Sequence, residues 1–212
     1  FPYTTLCRSP ASQPAPTRIP FQQDADLVVF SAAFRRLEDK TQVQPLHETG
    51  RVRTRLTHSI EVASVGRSLG SAVALELRER RGLDAEQCHA IAAIVHAACL
   101  AHDIGNPPFG HGGEDAIQGF FRGQPHTTAT LSDEERADLC AFDGNAQGFR
   151  ILTQLENYRF AGGWQLSHAT RGAGRKDVVP AHARAAWPIG MRKPGFFVSE
   201  QDYVEELRAA LS

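Results

Sequence analysis

The sequence predicts an all-α fold: a helical bundle with an irregular N-terminal arm and a Gly/Arg/Pro-rich loop near residues 160–195. Three observations carry that expectation. Apolar residues recur at helical spacing over most of the chain. Helix-start and helix-stop residues bracket those runs. No run of period-2 alternation is long enough for a sheet.

Residues 1–20 hold Pro2, Pro10, Pro14, Pro16 and Pro20 with Ser and Thr between them, which reads as an irregular arm. Asp24 to Asp39 opens on an Asp cap candidate and carries Leu27, Phe30, Phe34 and Leu37 at helical spacing. Thr54 to Arg81 places Leu56, Ile60, Ala63, Leu69, Val73 and Leu77 along one side, and Gly82 stops it. Asp84 to His102 is apolar nearly all round, which predicts a central buried helix. Gly112 to Phe121 resumes a helix after a Gly/Pro loop. Ser132 to Ala141 opens with "SDEE", a Ser cap followed by carboxylates that suit the positive end of the helix dipole. Gly144 to Tyr158 carries Phe149, Leu152 and Leu155. From Ala161 the texture becomes Gly, Ala, Arg and Pro without a sustained period, the mark of a long loop or flap. Ser199 to Leu211 is the last expected helix.

Bulk composition narrows the function classes. With 212 residues the chain can bury a sizeable core, and 42% hydrophobic with 22% charged residues is ordinary for a globular protein. A net charge of −1 gives no global drive toward nucleic acid or an anionic membrane. Arg35, Arg36, Lys40, Arg51, Arg53 and Arg55 nevertheless crowd one region, either as a solvated face or as a phosphate site. Cys7, Cys88, Cys99 and Cys140 form no C-x-x-C pair and fit free thiols in a reducing cytoplasm. No signal peptide is visible, and the most apolar segment, Ala90 to Ala101, is too short to span a bilayer. The first residue is Phe rather than Met, so the chain is expected to lack its natural start.

The chemistry is concentrated in "CLAHDIGNPPFGHGGEDA", Cys99 to Ala116. His102 and Asp103 close one helix, and His58 lies in "RTRLTHSIEV" near the start of another. Facing helices of a bundle can aim such side chains at one divalent metal ion. Mixed nitrogen and oxygen ligands suit Mn, Fe, Ni, Co or Zn more than a pure Mg site. Two imidazoles and one carboxylate also leave open positions, as catalytic rather than structural metal sites do. His111 and Glu114 stand i, i+3 at the start of the next helix, and the intervening prolines and glycines turn them back toward the same corner.

"RTRLTHSIEVASVGRSL" followed by "CLAHDIGNPPFGHGGEDAI" resembles the HD-domain phosphohydrolases and, more narrowly, the bacterial deoxyguanosinetriphosphate triphosphohydrolase (dGTPase) family. "FSAAFRRLEDKTQV", "FDGNAQGFRILTQLE" and "MRKPGFFVSE" extend the resemblance from about Pro20 to the end. It implies an HD-domain helical bundle that hydrolyses dGTP or another dNTP to the deoxynucleoside and inorganic tripolyphosphate. It implies a divalent cofactor, Mg or Mn first and other transition metals after them, held by His58, His102 and Asp103. His111 would serve as proton shuttle, oriented by Glu114. Arg55, three residues before His58, is placed to reach a phosphate. Gln42 matches the position that contacts the sugar 3′-hydroxyl, Asn145 one near the metal and phosphates, and Lys176 a phosphate-binding lysine. Asn145 reads equally well as a helix-start capping residue. The family further suggests a homo-oligomer, by resemblance a hexameric ring, a single-stranded DNA effector, a cytoplasmic setting and no membrane partner.

Two departures stand out. The family's A-T-L-G-x-x-x-K-Y-P becomes "ATRGAGRKDVVP", so Asp177-Val178 replaces Tyr-Pro after Lys176. The family's last metal ligand, an Asp in a later helix resembling E-A-A-D-D-I, has no counterpart before Ser212, and Asp143, Asp177 and Asp202 are the spare carboxylates. Residues 21–212 are therefore expected to be the N-terminal portion of such an enzyme, ending before its last metal-ligand helix. Two alternatives stay open: another HD-domain nucleotide phosphodiesterase, or a catalytically impaired nucleotide-binding fragment.

Overall fold

A computed structural model describes residues 19–42, 53–157, 163–175, 180–181 and 195–211. Those residues are helical, with isolated bridges Thr41–Thr54 and Pro180–Phe196 and no strand among them. The expected N-terminal arm lies almost wholly outside the described residues.

Helix α1, Pro20–Phe30, starts on a proline, whose fixed φ suits the first helical position. Asp24 is therefore not a cap. It is fully buried inside α1 and accepts a 2.6 Å hydrogen bond from the Ser167 hydroxyl. The helix expected over Asp24 to Asp39 is broken at Ser31, which turns extended and caps α2, Ala32–Arg35, by accepting from the Phe34 N–H. A 3₁₀ turn, Arg36–Asp39, follows. Phe34 and Leu37 enter the core as expected, whereas Phe30 points to solvent at the break.

Helix α3, Arg55–Arg81, has Thr54 as its N-cap and left-handed Gly82 as its stop. Its buried face is not the expected apolar stripe. Arg55, Ser59, Ala63, Gly66, Gly70 and Ala74 are buried, while Ile60, Leu69 and Val73 are more than half exposed. The cause is close approach to α4, Ala85–Ala101. A Cβ at Gly66 would lie 2.4 Å from Cys99 Sγ, and one at Gly70 would lie 3.2 Å from Ala92 Cα. Small residues on α3 leave room for the larger side chains of α4, and the branched residues of α3 turn outward.

α4 begins with a capping box between Asp84 and Gln87. It packs on α1, α3 and α8, and is only partly the buried helix that its composition predicts. Ala97, Ala98, Leu100 and Ala101 are buried, but residues 91–96 are half-buried beside a groove of about 640 Å³ between α1, α3 and α4. Helix α5, His111–Gly123, and α6, Asp133–Cys140, follow, the latter opened by a Ser132–Glu135 capping box. α7, Gly144–Arg150, runs into a π-turn, Ile151–Leu155, so the helix expected over Gly144 to Tyr158 is shorter and changes pitch.

The expected long loop contains a helix, α8, His168–Gly174. Ser167 accepts from the Thr170 N–H while its hydroxyl holds Asp24, so capping and a tertiary contact stabilise a segment without apolar period. Lys176 and the rest of that loop, 176–179 and 182–194, lie outside the described residues. Helix α9, Gln201–Leu211, packs Val204 and Leu207 against Phe149 and Phe196. Val28, Phe34, Leu37, Ala97, Leu100, Ile104 and Leu166 belong to the main core beneath the α4–α5 corner. Cys88, Cys99 and Cys140 are free thiols, and no helix among the described residues is long and apolar enough to cross a membrane.

Candidate active site

Two helix boundaries set the site. The Thr54 cap fixes where α3 begins and puts His58 on its first turn. α4 ends at Ala101, so His102 is its C-cap and Asp103 the first residue beyond. One ligand atom from each of His58, His102 and Asp103 lies within 4.8 Å of the others. The two imidazoles stand edge to face with centroids 5.2 Å apart.

Each of these side chains is held by a neighbour. His102 Nδ1 lies 2.8 Å from the Cys99 carbonyl oxygen. A carbonyl only accepts, so Nδ1 carries the hydrogen and Nε2 presents its lone pair. That Nε2 is 3.4 Å from Asp103 Oδ1. Burial, and then the nearby His102, hold the His58 pKa below the ordinary histidine value, which keeps its ring neutral at pH 7. Asp103 is buried, with Arg55 Nη1 donating to Oδ2 at 2.8 Å and Asn106 Nδ2 donating to Oδ1 at 2.6 Å.

The turn from Asp103 to His111 is folded against α3 and α7 by glycines. A Cβ on Gly105 would lie 2.1 Å from the Gly148 nitrogen and 2.3 Å from the Gly144 oxygen. Gly110 has φ +55° and abuts Arg55, since a Cβ there would come 2.7 Å from Nη2. Phe109 before it also has positive φ, +65°, and is 77% exposed, a costly conformation for an aromatic residue. The turn delivers His111 to the surface one residue from the Arg55 contact. His111 Nδ1 meets Glu114 Oε2 at 2.7 Å, while Glu114 Oε1 accepts the Gly144 N–H at 2.7 Å. Glu114 is buried and His111 is 94% exposed, so a fixed carboxylate orients a reachable ring.

The remaining sequence candidates divide. The backbone N–H of Gln42 donates to the Arg53 carbonyl at 3.0 Å, tying it to the start of α3, and its buried Oε1 has no hydrogen-bond partner. Asn145 is not the cap of α7. Asp143 is, and Asn145 donates both its backbone N–H and its side-chain amide to Asp143 Oδ1. Asn145 also lines a small cavity with His102 and Arg171. Lys176, Asp177 and Arg51 lie outside the described residues. Asp143 is committed to its cap and Asp202 is exposed on α9. Of the basic group, Arg55 is buried in the site, Arg35, Arg36 and Arg53 are exposed, and Arg53 pairs with Glu61. Lys40 donates to the Asn106 carbonyl at 2.7 Å, and burial and then Arg36 push its pKa down. The sequence marks Lys40 only as one of that basic group and gives no sign of Asn106.

Residues 55–140 match the family model described as the HD domain. His58, His102, Asp103, His111 and Glu114 all fall inside the matched segment. A protein from Pseudomonas aeruginosa named deoxyguanosinetriphosphate triphosphohydrolase-like protein is 48% identical over 196 residues, covering 90% of this chain and 43% of the relative. One of the same name from Synechocystis is 47% identical over 199 residues, covering 90% and 45%. A Klebsiella pneumoniae protein named deoxyguanosinetriphosphate triphosphohydrolase is 40% identical over 225 residues, covering 90% and 44%. The chain thus spans less than half the length of these relatives, and residues 55–140 sit within the shared part.

Proposed function

We propose that the protein hydrolyses dGTP, or another deoxynucleoside triphosphate, to the deoxynucleoside and inorganic tripolyphosphate in a metal-dependent reaction. The observation that carries this reading is the convergence of His58, His102 and Asp103 beside a buried arginine. The donor set fits a divalent ion: a neutral His58, a His102 whose Nε2 lone pair is freed by its bond to Cys99, and a carboxylate fixed from both oxygens. When bound, Mn²⁺ or Mg²⁺ would supply Lewis-acid polarisation of the phosphoryl group and of the attacking water.

The chain's own residues would do the rest. Arg55 balances charge at Asp103 with Nη1, and its Nη2 lies against the turn that carries His111, the side from which a phosphate would be met. Glu114 holds His111 with Nδ1 toward itself, which leaves Nε2 facing outward. From there the doubly protonated ring would give its Nε2 proton to the 5′-oxygen of the nucleoside as that oxygen leaves the α-phosphorus and water bonds to the phosphorus in its place. Gln42 would pair its free amide oxygen with the sugar 3′-hydroxyl, a bond that relieves a buried unpaired acceptor. Asn145 and Lys176 are assigned to the phosphates by resemblance to the dGTPase motifs. The same resemblance supports a homo-oligomer, a single-stranded DNA effector and a cytoplasmic setting.

Phosphorus-31 NMR of the protein with dGTP and Mn²⁺ tests the reading. Tripolyphosphate is the expected product. Orthophosphate, pyrophosphate or a nucleoside monophosphate would contradict it and point to another phosphohydrolase reaction.

A further inference from the structure

Asp103 carries the carboxylate of the three-residue cluster, and a carboxylate on a short side chain can rotate about its last torsion. Arg55 grips only Oδ2. The oxygen that faces His102 Nε2, at 3.4 Å, is Oδ1. Oδ1 is held by Asn106, whose Nδ2–H donates to it at 2.6 Å. A carboxylate oxygen has two lone-pair directions. Asn106 occupies one and leaves the other for the space shared with the imidazoles.

Asn106 is itself immobilised from three sides. Its backbone N–H donates to the Asp103 carbonyl at 3.1 Å, and its own carbonyl accepts from Lys40 Nζ at 2.7 Å. Its amide oxygen lies against Gly144, where a Cβ would come 2.1 Å from it. One end of the amide thus faces Asp103 and the other the α7 backbone.

We propose that Asn106 is a positioning residue that fixes the rotation of the Asp103 carboxylate and thereby sets the affinity of the site for its divalent ion, without touching the ion. This inference rests on reading His58, His102 and Asp103 as a metal centre. It deepens that reading, because it makes an amide in the "GNPP" turn part of the ion's affinity. Outer partners of metal ligands typically change affinity by about 10–100-fold when removed.

The test measures Mn²⁺ affinity by electron paramagnetic resonance, and thermal unfolding in EDTA, for the wild-type chain and for Asn106→Ala, Asn106→Ser and Asp103→Ala. The Asn106 variants are expected to bind Mn²⁺ about 10–100-fold more weakly while keeping most of the metal-free Tm. Asn106→Ser leaves space beside Gly144 and decides the matter if the alanine variant does not fold. Wild-type Mn²⁺ affinity in the Asn106 variants, with binding lost in Asp103→Ala, would overturn the inference and leave the metal centre standing. A lower metal-free Tm with unchanged Mn²⁺ affinity would make Asn106 merely structural. Unchanged binding in Asp103→Ala would remove the metal centre, and the inference with it.

Discussion

One hydrogen bond decides what the His102 ring can do. Its Nδ1–H is spent on the Cys99 carbonyl, so the ring ends α4 and presents Nε2 at the same time. His111 has the complementary arrangement, exposed and steered by a buried Glu114. His111→Ala should lower turnover by about 10²–10⁴-fold while Mn²⁺ binding is retained, as expected for a lost proton shuttle. Unchanged kcat in metal-loaded protein would make the His111–Glu114 pair structural. Gln42→Ala should relax discrimination among deoxy, dideoxy and ribo substrates more than it slows the best of them, because a site that pairs with a hydroxyl loses selectivity when its partner goes. Equal sugar preference before and after the change would exclude that role. At this scale adjacency and helical spacing made His58, His102, Asp103, His111 and Glu114 legible. Asn106 was not, because an Asn before two prolines has an ordinary use in a turn. Its partner Asp103 is fixed only once the turn is folded.

Among the elements, helix ends were easier to read than helix faces. Thr54, Gly82, Asp84 and Ser132 cap or stop helices in place, because capping is settled within a few residues. The buried face of α3 differs from the apolar stripe its period predicts, since period alone favours large apolar residues and the close α3–α4 approach demands glycine and alanine. α8 escaped because a Ser cap and a contact with Asp24 hold it rather than an apolar stripe. The turn between α4 and α5 depends on the same kind of close approach. Gly105→Ala should destabilise the fold by at least about 1–3 kcal/mol, since its Cβ would meet the α7 backbone rather than a movable side chain. It should also weaken Mn²⁺ binding, because the same turn carries Asp103 and Asn106. Asp84→Ala is the control. Loss of that cap should cost about 1 kcal/mol in chemical denaturation and leave Mn²⁺ affinity unchanged, as it lies at the far end of α4 from His102. A stable Gly105→Ala protein with normal Mn²⁺ affinity would show that the turn need not pack so closely.

At the scale of the whole molecule, burial holds three histidines among the described residues below their ordinary pKa of 6.5: His58 on α3, His96 on α4 and His168 on α8. In each case the unfolded chain takes up the proton first as pH falls. The stability they contribute is therefore present above about pH 6.5 and is lost as pH drops through their lower folded-state values. The Tm of the metal-free protein should fall between about pH 7 and pH 5.5, and His96→Asn should make that fall shallower. A flat profile over that window would contradict the burial of these rings. Glu200 works in the opposite sense, because burial raises its carboxyl above 4.5 and the folded state takes up its proton first.

The same whole-molecule packing, α3 against α4 with the turn folded back on α7, brings His58 to His102 and Asp103. The most direct measurement is a crystal of the protein soaked in Mn²⁺ and its anomalous difference map. The account predicts one strong peak within about 2.0–2.3 Å of a nitrogen of His58, a nitrogen of His102 and an oxygen of Asp103. No peak at that cluster, or a peak bound elsewhere with these three side chains unengaged, would contradict it.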